Sequence, residues 1–301
     1  MNNGESLLEQ LKAGDQKALA RSISLVENES GEYKKLLQSL PCNNNTNIIG
    51  ITGPPGAGKS TLVDALIAEC IAQSKKVAVL CIDPSSPFNL GALLGDRIRM
   101  SQWYVNPHVF IRSLATRGSL GGLHPKIIEI TELLKAAPFD LIIVETVGVG
   151  QSEIEIAGLA DVTAVVLVPE AGDEVQTMKA GLMEIADLFI VNKSDRPEAD
   201  QFVKNLRLML APAFTTHRQE VPVLKTTALQ KEGVKEVFEK INSLLQQHTD
   251  NTKRAWLLAE RAHYLIQQKR MHDISKEKLK QLIEQQLQHG QFNLYQFIQQ
   301  F

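Results

Sequence analysis

One stretch decides the fold of this chain: Gly53-Pro54-Pro55-Gly56-Ala57-Gly58-Lys59-Ser60-Thr61. It matches the pattern G-x-x-x-x-G-K-S, follows a short apolar run and opens a segment with helical spacing. Its glycines let backbone amides turn toward a phosphate, and the start of the following helix adds unpaired N–H groups. A chance match in a glycine-rich turn is the alternative, but the Lys-Ser pair and the preceding run argue against it. We therefore predict a P-loop in which Lys59 bridges the β- and γ-phosphates of a nucleotide and Ser60 is a ligand of Mg²⁺.

Short apolar and β-branched runs alternate with helical patterns on either side of this loop. The predicted strands lie at residues 48–52, 77–82, 109–113, 141–146, 163–168, 188–192 and 221–226. Near-continuous apolar strands separated by helices predict an α/β fold with a mostly parallel sheet and helices on both faces. Ligands of such sheets bind beyond the carboxyl ends of the strands, so the loops after these runs are where we expect the chemistry.

The pattern divides the chain into three parts. We predict an N-terminal helical segment at residues 1–46, a nucleotide-binding domain at 47–248 and a C-terminal helical arm at 249–301. The arm carries an amphipathic stripe that ends in Phe297, Ile298 and Phe301. Soluble monomers rarely keep such apolar surface exposed, so we expect the arm to hold a homodimer together.

Composition excludes several classes of partner. The 301 residues include 32 Lys and Arg against 34 Asp and Glu, so no global basic field attracts nucleic acid or anionic lipid. The three cysteines are scattered and form no C-x-x-C pair, which argues against a disulfide framework or a thiolate zinc site. No basic leader and no run of ~18 apolar residues is present. We therefore expect a cytoplasmic protein with no nucleic-acid or membrane partner.

A second motif, Asn192-Lys193-Ser194-Asp195, directly follows the predicted strand 188–192. An aspartate here can accept hydrogen bonds from N1–H and the 2-amino group of guanine, whereas adenine has no donor at either place. The alternative is that Asp195 only caps a helix. The order of the two motifs favours guanine. Residues Thr227-Ala228-Leu229 follow the last strand and are expected to back the guanine, although the neighbouring Thr226 leaves this register open by one residue.

Three carboxylates are candidate magnesium ligands beside Ser60. Asp83 and Glu145 each end a predicted strand, and Asp96 lies in the glycine-flanked segment that follows Asp83. Mg²⁺ takes a few protein oxygens and keeps several waters, so one or two of them would suffice. The alternatives are that Asp83 and Glu145 cap the following elements and that Asp96 is a solvated loop charge.

Residues Glu145-Thr146-Val147-Gly148 stand where many nucleotide switches carry D-x-x-G, whose glycine amide senses the γ-phosphate. The next residue is Val149, which cannot orient an attacking water as glutamine does in Ras-like enzymes. Intrinsic hydrolysis should therefore be slow unless Glu145, Gln151 or a partner orients the water. Lys59 and Glu145 are the candidate catalytic residues.

Taken together, the chain resembles the ArgK/MeaB family of P-loop GTPases, also called methylmalonyl-CoA mutase-associated GTPases. The likeness rests on motifs in one order: GPPGAGKST, IDPSSPFNLGALLGDRIRM, FIRSLATRGSLGGL, VETVGVGQSE, PEAGDEVQTMKAG and NKSD. The resemblance implies hydrolysis of GTP to GDP with Mg²⁺, and a role in gating adenosylcobalamin loading and protecting an acyl-CoA mutase. It also implies magnesium and switch roles for Asp83, Asp96 and Glu145, and a third switch loop at Gln176 and Lys179 that contacts the mutase.

Two other functions fit the same architecture. One is a metallochaperone GTPase for nickel or zinc, although no His-rich tract or cysteine cluster supplies soft ligands. The other is a small-molecule or protein kinase, although no residue set specifies a phosphoryl acceptor and N-K-x-D argues against ATP. His124 before Pro125 is expected to be a cap or surface residue, and Arg112 and Arg117 to lie near the switch region.

Overall fold

The structure is a computed structural model that describes residues 3–41, 46–84, 100–117, 123–148, 152–171, 185–210, 221–247, 252–271, 273–288 and 292–301. The chain forms two compact units, Met1–Lys253 and Arg254–Phe301. The strands are β1 (Asn47–Thr52), β2 (Val77–Asp83), β3 (Val109–Ala115), β4 (Leu141–Glu145), β5 (Val162–Leu167), β6 (Leu188–Val191) and β7 (Val223–Lys225).

Helices alternate with these strands and extend beyond them at both ends. They are α1 (Asn3–Lys12), α2 (Gln16–Glu27), α3 (Tyr33–Gln38), α4 (Lys59–Ala72), α5 (Ile127–Ala136), α6 (Ser152–Leu159), α7 (Ala199–Leu210), α8 (Val234–Gln247), α9 (Thr252–Arg270), α10 (Lys276–Gln288) and α11 (Leu294–Phe297). Short 3₁₀ turns lie at Ser101–Trp103, Pro169–Ala171 and Ile298–Gln300.

The strands form one sheet in the order β3-β2-β4-β1-β5-β6-β7, and every described pair is parallel. Each predicted run forms a strand, so the predicted α/β fold is confirmed. The central strand β1 pairs with β4 on one side and β5 on the other. Strands β2, β3 and β4 lie on one side of β1 and β5, β6 and β7 on the other. In α/β sheets ligands bind at the carboxyl end of such a switch point, which is where the P-loop begins.

The amino edge of the sheet is fastened by three aspartates, each one residue before a strand. Each side chain accepts a backbone N–H at the start of the neighbouring strand, which fixes the relative register of the two strands. The bonds run to Asp140 from the N–H of Lys76 (2.7 Å), to Asp161 from that of Ile48 (2.6 Å) and to Asp187 from that of Thr163 (2.8 Å).

Helices cover both faces of the sheet. On one face α4 and α8 bury a core that includes Ile51, Val79 and Phe238. On the other face α6 lies close to β1. Glycine at position 50 allows this approach, because a Cβ there would lie only 2.6 Å from Ile156 Cγ1. Apolar burial on both faces explains why the strands are almost uniformly hydrophobic.

The N-terminal helices belong to the same compact unit as the sheet. Helices α2 and α3 pack against α5, and α1 packs against α2 and α3. The Asp15 side chain caps α2 by accepting from the N–H groups of Lys17 and Ala18 at 2.8 and 3.1 Å. The Gln16 amide donates to the carbonyl of Val109, so α2 is also attached to the start of β3. The prediction of a helical N-terminal segment is confirmed.

The second unit contains α10, α11 and nearly all of α9. Phe297 is its buried centre, with the ring centroids of Phe292 and Phe301 at 5.7 and 5.3 Å. Trp256 and Tyr295, in contrast, are 70% and 76% exposed. Among the described helices, none combines the length and apolar content needed to span a membrane.

Candidate nucleotide site

The P-loop joins β1 to α4 through a turn that needs glycine. Gly53 has φ +138°, and a Cβ there would lie 2.0 Å from the carbonyl oxygen of Val166 on β5. Gly58 has φ +85° and starts α4, and a Cβ there would lie 2.3 Å from Asn192 Nδ2. No other residue fits these two positions, so the backbone of the loop is brought close to β5 and to the loop after β6.

Lys59 reaches back over this loop from the first residue of α4. Its Nζ donates to the carbonyl oxygens of Gly53 at 2.9 Å and Pro54 at 3.1 Å, and to that of Val147 at 3.5 Å. The residue is buried. A cation is therefore held above the P-loop backbone, beside the N-terminus of α4, where a phosphate would find a fixed positive charge.

Ser60 and Glu145 meet at the same edge of the sheet. The Ser60 hydroxyl donates to Glu145 Oε1 at 2.7 Å, and both residues are buried. Asp83 is also buried and ends β2, which pairs with β4 in a register that places Cys81 opposite Glu145. The carboxyl ends of β2 and β4 thus bring two acidic residues to the start of α4.

This donor set fits Mg²⁺. A hydroxyl and two carboxylates are hard oxygen ligands, and Mg²⁺ commonly binds one or two carboxylates together with substrate phosphates and waters. Ser60, Asp83 and Glu145 are the residues that would hold the ion. Within the described residues no group of three or more His, Cys, Asp or Glu side chains has a metal-binding arrangement.

The turn after Glu145 lies directly on the P-loop. The Thr146 hydroxyl donates to that of Thr52 at 2.8 Å, which links the ends of β4 and β1. Gly148 has φ +88°, and a Cβ there would approach the Gly53 carbonyl to 2.2 Å and Lys59 Nζ to 2.5 Å. The position of this turn is therefore coupled to whatever occupies the space at Lys59.

Asn192 joins three loops of the site. Its Nδ2 donates to the carbonyl of Ala57 at 2.9 Å, while its Oδ1 accepts from the Thr226 hydroxyl at 3.1 Å and the N–H of Ala228 at 3.0 Å. Asn192 is buried, so these bonds are shielded from water. The loops after β6 and β7 are thus fixed to the P-loop, with Ala228 at the junction.

The rest of the N-K-x-D loop is more exposed. Lys193 has φ +57° and its Nζ donates to the carbonyl of Gly56 at 2.8 Å. The Ser194 hydroxyl lies 3.2 Å from that of Thr227. Asp195 is exposed, and Leu229 is 81% exposed. An exposed carboxylate is available to a ligand's polar edge, as base reading requires.

Five residues discussed from the sequence lie outside the described residues. They are Asp96, Val149, Gln151, Gln176 and Lys179.

His124 makes a local cap contact, and the two nearby arginines contact the N-terminal helices. The His124 Nδ1 accepts from the N–H of Lys126 at 3.0 Å, which agrees with a local cap, but the side chain is buried and not on the surface. Burial, with Arg117, Lys126 and Arg112 nearby, lowers the pKa of His124 to about 4. Arg112 and Arg117 contact the end of α2.

Sequence reasoning missed the hydroxyl pair of Thr52 and Thr146 and the central role of Asn192. The first could have been anticipated, because one threonine precedes the P-loop and the other follows Glu145 on a neighbouring parallel strand. The second required knowledge of how the loops after β6 and β7 approach each other.

A parallel sheet with a P-loop at its central strand, an N-K-x-D loop bonded to it and two acidic residues at the carboxyl edge of the sheet define the class of P-loop GTPases. Comparison with known proteins agrees. The model of the family "Methylmalonyl Co-A mutase-associated GTPase MeaB" matches residues 19–287. This chain therefore belongs to the MeaB family, and it is a GTPase.

Individual relatives show how far the likeness extends. A protein of Pyrococcus abyssi named as a GTPase is 46% identical over 268 residues, covering 88% of this chain and 82% of the relative. GTPase ArgK of Escherichia coli is 38% identical over 244 residues, covering 78% and 73%. The crystal structure of a "LAO/AO transport system kinase" is similar with a TM-score of 0.71 and 27% identity, covering 100% of this chain and 97% of that one.

Proposed function

We propose that this GTPase serves an adenosylcobalamin-dependent acyl-CoA mutase of the methylmalonyl-CoA type. In this role it gates the loading of adenosylcobalamin and protects the mutase from inactivation. The family description, which names a mutase-associated GTPase, supports the choice of partner. The nucleotide state of the GTPase would then be the signal that the mutase reads.

The contact between the turn 146–148 and the P-loop carries this proposal. Lys59 Nζ donates to the Val147 carbonyl, and Gly148 lies against the Gly53 carbonyl. A γ-phosphate at Lys59 competes for that cation and offers an acceptor to the Gly148 amide. GTP and GDP would therefore favour different positions of the turn, and a partner that contacts this region would bind the two states with different affinity.

The chemistry of hydrolysis follows from the same residues. We propose that Lys59 holds the β- and γ-phosphates and that Ser60, Glu145 and Asp83 hold Mg²⁺, with Asp96 as a further candidate. The ion, when bound, neutralises charge on the phosphate oxygens. Because residue 149 is valine, we propose slow intrinsic turnover that the mutase accelerates through the loops carrying Asp96, Glu145 and Gln176.

Guanine selection is proposed for Asp195. Hydrogen bonds from Lys193 and Asn192 to the P-loop, of 2.8 and 2.9 Å, fix the position of its loop. The distance between the base-binding and phosphate-binding parts of the site would therefore be fixed. Ala228 is fixed by Asn192, which supports the loop Thr227-Ala228-Leu229 as the backing of the base. A cytoplasmic location is also part of this proposal.

The test is to measure single-turnover GTP hydrolysis with and without the cognate mutase, and mutase binding to the GTP-analogue and GDP forms. We expect faster hydrolysis with the mutase and unequal affinities for the two forms. The Lys59→Ala variant is the matched control, since it should bind the mutase equally with or without added nucleotide. Equal rates and equal affinities would refute the mutase role. Transfer of a bound metal to a partner would instead support a metallochaperone, and transfer of labelled phosphate to an acceptor would support a kinase.

We also propose a homodimer held by the C-terminal arm. Apolar side chains on its described helices are widely exposed, among them Trp256 (70%), Ile266 (48%), Leu287 (57%) and Ile298 (55%). The variant Ile266→Lys should shift the protein toward monomer in light scattering, whereas Gln281→Lys, at an exposed polar position on α10, should not. A dimer unaffected by Ile266→Lys and by truncation after residue 248 would refute the arm as the interface.

A further inference from the structure

The last turn of α2 is contacted by two arginines, one on β3 and one just past its end. Arg112 on β3 forms an ion pair with Glu27 and donates to the Ser24 hydroxyl at 3.2 Å. Arg117, just past the end of β3, donates to the backbone carbonyl of Glu27 at 2.6 Å and to Asn28 Oδ1 at 3.2 Å. Glu27 therefore receives both arginines, one on its side chain and one on its backbone.

A third cation binds the turn that follows α2. Lys126, at the start of α5, lies 2.5 Å from Glu29 and 5.9 Å from the ring centroid of Tyr33. Arg117 and Lys126 thus both contact the N-terminal helical region.

The ion pair of Glu27 and Arg112 differs from ordinary surface ion pairs. The side chains of Glu27 and Arg112 are 10% and 22% exposed, whereas those of the surface pair Glu32 and Lys35 are 59% and 71% exposed. Exposed pairs contribute little because water and salt screen them. Removing one partner of a largely buried pair leaves a charge without compensation, so neighbouring groups must move or rehydrate.

Strand β3, which carries Arg112, lies beside the metal edge, that is, the carboxyl ends of β2 and β4 with Asp83 and Glu145. Strand β3 pairs with β2 so that Ala115 lies opposite Asp83, and the N–H of Thr116 donates to the Asp83 carbonyl at 3.1 Å. On its other side β2 pairs with β4, which carries Glu145. The backbone of Asp83 is therefore held by β3, since the pairing of β2 with β4 ends at Cys81, and β3 is an edge strand whose carboxyl end is bound by α2.

We propose that Glu27 is a positioning residue for the magnesium–nucleotide site. By binding Arg112 and Arg117 it holds the carboxyl end of β3 in place, and β3 in turn holds Asp83 at the metal edge. The inference rests on the proposed role of Asp83 as a magnesium ligand. It gives the N-terminal helices a function in the GTPase cycle and not only in the fold.

The test measures binding and not turnover. Calorimetry gives the affinity for a non-hydrolysable GTP analogue with and without Mg²⁺, and the ratio of the two affinities reports the metal contribution. We expect Glu27→Gln to lower this ratio by about 3- to 10-fold, somewhat less than the loss typical of groups that directly support a metal ligand. Glu32→Gln, in the exposed pair, should leave the ratio unchanged.

A double-mutant cycle distinguishes the two assumptions. If Glu27 acts through Asp83, Glu27→Gln should have no further effect in an Asp83→Asn background. An unchanged ratio in Asp83→Asn alone would overturn the magnesium assignment. A reduced ratio in Asp83→Asn together with an unchanged ratio in folded Glu27→Gln would overturn the positioning role alone. If Glu27→Gln does not fold, Glu27→Asp replaces it in the same cycle with the same criteria, because the shorter side chain keeps the negative charge but withdraws the carboxylate from Arg112.

Discussion

The Ser60 hydroxyl donates a hydrogen bond of 2.7 Å to the Glu145 carboxylate, which ties the first turn of α4 to the carboxyl end of β4. Substitution Glu145→Gln keeps the size of the side chain and an acceptor for Ser60 but removes the charge. We expect single-turnover GTP hydrolysis in Mg²⁺ to fall by about 10- to 100-fold, because a metal-edge carboxylate is lost.

The control for this prediction is Glu198→Gln, which neutralises an exposed carboxylate three residues after the N-K-x-D loop. It should hydrolyse GTP at the parent rate. If Glu145→Gln also keeps the parent rate and the parent dependence on Mg²⁺, Glu145 has no part in the metal site or the chemistry.

The Gly148→Ala substitution tests the contact between the turn and the P-loop. The new Cβ would lie 2.2 Å from the Gly53 carbonyl and 2.5 Å from Lys59 Nζ, so the turn must move away. We expect hydrolysis to fall by about 10²-fold, since displacements near 1 Å have costs of this size. Single-turnover measurements and a denaturant titration would be made on the same samples.

A matched glycine separates this clash from backbone strain. Gly31 also has positive φ (+59°), but its Cβ would meet only Leu25 Cδ2 at an ordinary 3.6 Å. Gly31→Ala should lose about 1 kcal/mol of stability from the left-handed backbone and keep the parent rate. Equal rates in the two variants would mean that the turn does not need its close approach to Lys59.

The N-K-x-D loop at residues 192–195 offers a test of nucleotide specificity that does not disturb the fold. Asn192 is unsuitable because it is buried and its bonds join three loops, whereas Asp195 is exposed. Asp195→Asn should change stability by less than about 0.5 kcal/mol. It should lower the affinity for GDP and raise the affinity for xanthosine diphosphate (XDP), so that their ratio shifts by about 10² or more. The reason is that an amide can donate to the carbonyl that replaces the 2-amino group in xanthine.

Competition binding of GDP and XDP measures that ratio directly. The control Asp200→Asn changes an exposed carboxylate on the following helix, where it contacts Lys225, and should keep the parent preference for GDP. A variant at Asp195 that still prefers GDP to the same degree would show that this loop does not read the base.

The sheet was predictable because its strands are buried on both faces. Continuous apolar runs such as residues 77–82 have no polar face, and that pattern admits few alternatives once a P-loop follows one of them. The ends of the strands were predicted less accurately, since β7 covers only Val223–Lys225 of the predicted run at 221–226. The first two residues of that predicted run, Val221 and Pro222, lie outside the strand, because proline has no N–H to donate to the ladder.

Contacts between distant segments could not be predicted in the same way. The ion pair of Glu27 and Arg112 joins residues 85 positions apart, and Glu27 lies in none of the quoted motifs. An arginine within an apolar strand could equally have pointed toward a ligand or toward a covering helix. Motifs define what the loops carry, whereas long-range pairs depend on how the covering helices pack.

The burial of His124 predicts a specific dependence of stability on pH. Its pKa is lowered from 6.5 to about 4, chiefly by burial and then by Arg117, Lys126 and Arg112. Between these two pH values the unfolded chain binds the proton more strongly than the folded chain. The free energy of unfolding should therefore decrease as pH falls from about 6.5 to about 4, by roughly 2 kcal/mol between pH 7 and pH 5 from this group alone.

The His124→Asn substitution isolates this contribution. The asparagine Oδ1 can replace His124 Nδ1 as the acceptor for the N–H of Lys126, which lies 3.0 Å away, and it has no proton to gain in this range. Urea titrations at pH 7 and pH 5 should show a smaller loss of stability for this variant than for the parent protein. The exposed His263→Asn serves as control and should retain the parent's full loss. Identical pH dependence in all three proteins would mean that His124 can be protonated within the folded protein, so its burial would not exclude the charged form.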